Sequence, residues 1–387
     1  MQPTPFSRTN RTWLAYLALG FYSYLLNGLG PALPYLRTDL HLSDAAGSLH
    51  TSAFAVGMLI AGLVGDGAIH LCGRRHVLFA GLGGMAAGTV LLAAGRSIGV
   101  TLSGALLMGA LGTLILVLVP AVLADEHGEG RAVALSEANV VASGSSMLAP
   151  LLVGAMVGTA LGWRTALLLS LLLLLPLARL LPGLTLPVMS RTTATKQAAG
   201  GLPPGYWAYW LVLVCCVSME FCMIFWAADF LHLVAGVPKA LASALVSVFL
   251  GAMLAGRTAG SRLARRIPAD RLLLPALAII GAGFPLYWLA PVTPLRIAGL
   301  FLTGAGIANL YPLVLSLAIG TAPTASDLAS ARAVLASATA IGIAPLILGW
   351  LADQTGIDRA SAVMVALLVL TLLTSRLARR IAEAAAA

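Results

Sequence analysis

Apolar runs of about 20 residues, separated by short polar breaks, recur along the whole chain, and runs of that length cross a bilayer core as helices. The breaks predict spans over 11–36, 45–69, 76–95, 98–123, 132–160 and 164–182, then over 206–233, 239–264, 271–290, 295–320, 328–352 and 357–377. The expected fold class is an all-α membrane protein with twelve transmembrane helices. The longest stretch unsuited to a bilayer core is 183–205, with Pro187, Arg191, Lys196, Gly200, Gly201, Pro203 and Pro204. It reads as a cytoplasmic linker between an N-terminal six-helix bundle, 1–182, and a C-terminal one, 206–387.

The two bundles repeat. Gly57-Met58-Leu59-Ile60-Ala61-Gly62 in the second span is echoed by Gly251-Ala252-Met253-Leu254-Ala255-Gly256 in the eighth, 194 residues later. Ala149-Pro150-Leu151-Leu152-Val153-Gly154 in the fifth is echoed by Ala344-Pro345-Leu346-Ile347-Leu348-Gly349 in the eleventh, 195 residues later. Two matches at nearly one offset, in corresponding helices, point to a duplicated unit. Two pseudo-symmetric bundles with an interface between them are the plan of a transporter whose halves rock about a central site.

Composition agrees with the pattern: 59% of the 387 residues are hydrophobic, 10% are charged and the mean hydropathy is +0.96, which excludes a water-soluble fold. The net charge of +9 does not call for nucleic acid, because the basic residues lie in short clusters between apolar segments, where they set orientation and meet lipid headgroups. With the N-terminus in the cytoplasm, the 23 Lys and Arg divide 17 inside to 6 outside, so both termini are expected there. Arg8 and Arg11 lead into a spanning segment with no small-residue cleavage site, and the first helix is expected to be retained. Cys72, Cys215, Cys216 and Cys222 form no C-x-x-C pair, and no metal or other cofactor is expected.

The loop after the second span reads Asp66-Gly67-Ala68-Ile69-His70-Leu71-Cys72-Gly73-Arg74-Arg75. It resembles the major facilitator superfamily signature G-x-x-x-D-R/K-x-G-R-R/K, with Gly73, Arg74 and Arg75 matching. His70 stands at the family's aspartate and Asp66 at its glycine, one turn earlier. The resemblance covers essentially the whole chain and implies the major facilitator fold, with Asp66, His70, Gly73, Arg74 and Arg75 as a cytoplasmic gate loop. Three passages resemble the fucose-permease-type branch and its uncharacterised bacterial relatives: Asn27 through Pro34 with Asp39 following, Met219-Glu220 through Trp226, and Gly304 through Pro312. Members of that branch are often proton-linked sugar carriers. An antiporter pattern of small residues in the fifth helix is echoed by Ser136, Ser145, Ala149, Pro150 and Gly154, which lends some support to export.

An acid at mid-membrane is costly and normally faces a cavity or a partner, which singles out Glu220, near the middle of the seventh span. Low-dielectric surroundings favour the neutral carboxyl, so its functional reading is proton carrier and its alternative a structural hydrogen bond. Asn27, Asn309, Tyr24, Tyr311 and Trp226 are candidate solute contacts, since the family cavity is lined by its first, fourth, seventh and tenth helices. Interhelical hydrogen bonding explains the amides equally well, and interfacial anchoring the aromatics. Trp226 lies six residues from Glu220, on another face of a regular helix. The fourth span offers few polar side chains beyond Ser103 and Thr113, which keeps amphiphilic substrates in play. Glu137 opens the fifth span and Arg332 stands 195 residues later in the eleventh, opposite charges at matched places that can close a cytoplasmic gate or stay solvated. Arg257 reads as an anchor snorkelling to the interface.

The chain lacks H-E-x-x-H, G-x-S-x-G and paired intramembrane carboxylates, so an enzyme is not expected. It also lacks a G-x-x-x-x-G-K-S/T loop, which leaves an ion or solute gradient as the energy source. The expected function is secondary active transport of a small organic solute across the inner membrane, with the proton as coupling ion and a monomeric carrier among membrane lipids. The alternatives are an efflux antiporter for drug-like amphiphiles and a receptor-like or structural membrane protein that has lost transport.

Overall fold

The computed structural model describes residues 7–180, 202–263, 266–322 and 326–386. The side chains of Asp66 and His70, and most of the linker expected at 183–205, lie outside the described residues. What is described is helical: α1 (Asn10–Leu40), α2 (Asp44–Ala94), α3 (Ile98–His127), α4 (Arg131–Val157), α5 (Gly162–Leu169) and α6 (Leu174–Leu180) come first. They are followed by α7 (Pro204–Leu233), α8 (Lys239–Leu263), α9 (Ala269–Leu289), α10 (Thr293–Ile307), α11 (Leu310–Gly320), α12 (Ser326–Thr355), α13 (Ile357–Ala360) and α14 (Val363–Ala386).

Among the described residues eleven helices or joined segments are long and apolar enough to cross a bilayer. α1 is not among them although it has 31 residues, because Tyr16, Tyr22, Tyr24 and Asn27 dilute its apolar run. α2 has 51 residues, about 77 Å at 1.5 Å per residue and more than twice a bilayer core. It holds two spans because Gly73 breaks it at φ 80°, ψ 152°, a conformation essentially confined to glycine. α5 and α6 make one span, joined through a tighter 3-10 helical stretch at Ser170–Leu173. α10 and α11 make another, interrupted at Ala308 and Asn309.

Pro312 accounts for that last interruption. A proline inside a helix removes the hydrogen bond to the carbonyl four residues back and collides with it, and here that carbonyl belongs to Ala308.

The chain forms two compact units, Met1–Ala32 with Ala53–Ser190, and Leu33–Ser52 with Arg191–Ala387. Backbone approaches at glycine repeat between them. A Cβ on Gly109 would lie 2.0 Å from the Phe54 carbonyl oxygen, and one on Gly304 would lie 2.6 Å from that of Phe249. Both residues of the second contact stand 195 positions after their counterparts in the first. In the second unit α7 is the hub, packing on α8, α11, α12 and α14. Its span is 83% buried, against at most 56% for any other, so a polar side chain on α7 needs a partner within the bundle.

Candidate functional site

Glu220 sits midway along α7 and meets Arg257 of α8, Oε1 to guanidinium nitrogen 3.4 Å. The same guanidinium offers its Nε to the carbonyl oxygen of Ala308, also at 3.4 Å. That carbonyl is the one freed by Pro312, so Arg257 bridges the acid of α7 and the break in the tenth span. A second bond closes the break from the other side, with the Asn309 side-chain amide donating to the Gly256 carbonyl at 2.8 Å. Gly260 leaves room for that side chain, because a Cβ on it would stand 2.2 Å from Oδ1 of Asn309 and push the amide aside. Tyr311, beside Ser337, lies within electrostatic reach of Glu220. Arg257, expected as a snorkelling anchor, is also a partner of Glu220 and of the helix break, because the α10–α11 break brings an acceptor within its reach.

Both contacts of Arg257 are longer than the 2.7–2.9 Å usual for a charge-assisted bond. The Glu220 side chain is 15% exposed and that of Arg257 44%. A pair so long and so open at one side separates at low cost.

Trp226 belongs elsewhere. α7 is one unbroken helix, and Trp226 donates from Nε1 to the Pro345 carbonyl at 3.1 Å and carries Arg37 over its ring at 5.0 Å. Arg37 in turn pairs with Asp229 at 2.5 Å and with Asp44 at 2.7 Å. Around this centre Lys239 donates to the Pro34 carbonyl and the Thr38 hydroxyl, and the Asp353 carboxylate accepts the backbone N–H groups of Asp44 and Ala45, capping the start of α2. These bonds hold the segment 33–52 to α7, α8 and α12. Asp229, 4% exposed, is more deeply buried than Glu220, and neither it nor Arg37 was singled out as a site residue from the sequence. The signal was there: a carboxylate within an apolar helix, and an arginine at the end of another.

In the first unit the polar atoms of two candidates are engaged in packing. Tyr24 donates its hydroxyl to the Ala166 carbonyl at 2.6 Å, and the Asn27 amide reaches the Ser23 carbonyl and the Ser146 hydroxyl. Glu137 is held bidentately by Arg8, at 2.6 and 2.8 Å, and accepts from the Tyr16 hydroxyl. Arg332 is exposed and its carbonyl accepts from Nε1 of Trp210. In the signature loop Arg74 is buried and pairs with Asp125 near the end of α3, while Arg75 is exposed beside Phe79. Asp125 is an acid partner that the reading of the loop did not name. Among the described residues no group of His, Cys, Asp and Glu is arranged to hold a metal ion.

Solved structures share this fold over nearly the full chain. One is a bacterial homologue of the human lysosomal transporter Spinster, inward-facing and unoccupied, with 17% identity over 97% of this chain and 98% of that one and a TM-score of 0.77. Another is the nucleoside transporter NupG, with 13% identity, 96% and 98% coverage and a TM-score of 0.79. The E. coli fucose:proton symporter FucP has 17% identity, 94% and 97% coverage and a TM-score of 0.63. No protein of curated function matches the sequence. The family model described as Major Facilitator Superfamily matches residues 12–344, and the chain belongs to that superfamily of membrane transporters.

Proposed function

We propose that the protein is a secondary active carrier that moves a small organic solute across the cytoplasmic membrane by alternating access, with Glu220 carrying the coupling proton. The observation that carries this reading is the Glu220–Arg257 pair at 3.4 Å, set against the Ala308 carbonyl in a broken helix. Protonation of the Glu220 carboxylate removes its charge and with it the attraction to Arg257. The guanidinium is then held by one long bond to Ala308, and the α10–α11 junction is free to shift. Loss of the proton restores the pair. A carboxylate, a cation and an interrupted helix are the parts by which a membrane carrier ties ion binding to helix rearrangement.

In this reading the bundles 1–182 and 206–387 rock about the linker 183–205, and Glu137, Arg332 and the loop Asp66–Arg75 act at the cytoplasmic gate. Both termini face the cytoplasm and the carrier works as a monomer. Efflux of an amphiphile is the second reading, favoured by the fourth span, α3, where the Ser103 hydroxyl is bonded to the Gly99 carbonyl and Thr113 is buried.

The test is proton movement in proteoliposomes holding a pH-sensitive dye, as sugars, organic acids and amphiphilic cations are added one at a time. A solute-dependent signal that disappears in Glu220→Gln, with solute exchange retained, is the expected result. Uphill transport unaltered in that variant removes Glu220 from the mechanism, and silence across the panel together with absent counterflow removes the carrier reading.

A further inference from the structure

Beyond the last turns of α8 the chain forms a groove of about 1150 Å³ lined by α8, α9 and the α10–α11 junction. The volume exceeds the roughly 300–1,000 Å³ that suits a drug-sized ligand. Its lining includes three arginines, Arg257, Arg262 and Arg266. Arg257 is shared with Glu220, but Arg262 and Arg266 form no ion pair with any described carboxylate, and Asp270 nearby faces Arg379 instead, at 4.0 Å. The rest of the lining is largely apolar, including Leu263 and Ile279, which are 46% and 42% exposed. A soluble anion would satisfy the guanidinium groups and leave that wall bare, whereas an aliphatic molecule would do the reverse. An occupant that matches both parts of the lining has an anionic head and a hydrocarbon tail.

We propose that the groove binds one anionic phospholipid, its phosphate held by Arg262 and Arg266 and its acyl chain laid along Leu263, Leu272 and Ile279. Guanidinium forks match phosphate oxygens in geometry as well as charge. Basic pockets between membrane helices take up anionic headgroups. The lysine and arginine bias assigns this end of α8 to the cytoplasmic leaflet. The site is independent of whether the Glu220 pair carries protons, since neither Arg262 nor Arg266 takes part in it.

The experiment uses the full-length protein in a neutral detergent, with native mass spectrometry and thermal melting as readouts. The probes are dioleoyl phosphatidylglycerol, dioleoyl phosphatidylcholine and inorganic phosphate. Phosphatidylglycerol is expected to stay bound and raise the melting temperature, and phosphatidylcholine to do neither. Arg262→Gln with Arg266→Gln is expected to weaken phosphatidylglycerol retention by about tenfold or more, as loss of charge-assisted bonds implies. Ile279→Trp keeps the arginines, fills the apolar wall and is expected to weaken retention as well. Equal retention of phosphatidylcholine, a phosphate effect as large as that of phosphatidylglycerol, or undiminished retention in the double variant overturns the assignment.

Discussion

At the scale of single residues, two acid–arginine pairs on α7 differ in a way that separates their roles. Asp229 and Arg37 meet at 2.5 Å with both side chains nearly buried, whereas Glu220 and Arg257 meet at 3.4 Å with the arginine open. A tight buried pair holds structure, and removing one partner of such a pair costs about 3–5 kcal/mol. Asp229→Ala is therefore expected to lower the melting temperature in detergent markedly, and Arg37→Ala to cost less once Asp229 is gone than it does alone, only its Asp44 and Trp226 contacts then remaining to be lost. Additive losses would show that the pair does not hold the segment 33–52 in place. Arg257→Ala is expected to abolish gradient-driven transport while changing the melting temperature little, with partial rescue by Arg257→Lys in a proton-flux assay. Glu220 was legible because it stands near the centre of an apolar run. Asp229 stands near the end of that run, where a charge is ordinarily solvated, and Arg37 stands near the end of another, so neither position marks a site by itself. Pairing between an α1 residue and an α7 residue is a fact of the folded chain that no local spacing encodes.

At the scale of elements, the broken tenth span has a cause in the sequence that can be removed. Proline in a helix interior costs about 3 kcal/mol relative to alanine. Pro312→Ala returns an N–H to the Ala308 carbonyl, which then no longer needs the Arg257 guanidinium. The expected outcome is a higher melting temperature with slower turnover, the trade seen when a strained functional segment is relaxed. Turnover unchanged in that variant would make the break a packing feature alone. The passage Gly304 through Pro312 drew notice as a family resemblance, and its proline already marked the break. What was not legible is that Arg257 of α8 reaches the Ala308 carbonyl and that Asn309, at the break itself, donates back to the Gly256 carbonyl of α8, since both bonds join segments some 50 residues apart. Glycines divide in the same way. Gly73 was visible through its motif, but Gly109 and Gly304 lie in glycine-rich apolar runs, and only the folded helices show that each receives a phenylalanine carbonyl. A bulkier residue at Gly304 or Gly109 is expected to separate α10 from α8, or α3 from α2, and to reduce the yield of folded protein.

At the scale of the whole molecule, the duplicated plan was readable because insertions had not blurred the offset. The same 195-residue spacing that relates Pro150 to Pro345 in the sequence also relates the Phe54–Gly109 and Phe249–Gly304 contacts in the fold. Covalent order and packing diverge at residues 33–52, which group with the second unit although they join α1 to α2. One ion pair, to Asp229, and two sets of charge-assisted hydrogen bonds, from Lys239 and to Asp353, explain this, and all come from sequence positions some 200 to 300 residues away. Orientation in the membrane follows from charge bias rather than packing, and a native side chain reports on it. Cys72 is the exposed cysteine, adjoining Gly73 in the signature loop, while Cys215, Cys216 and Cys222 are buried in α7. A membrane-impermeant maleimide is expected to label Cys72 in inside-out vesicles and to leave it unlabelled in intact cells, with Cys72→Ser as the blank. Labelling from the outside would reverse the topology. It would move the signature loop and the arginine groove to the opposite leaflet, and remove the gate assignments that depend on a cytoplasmic loop.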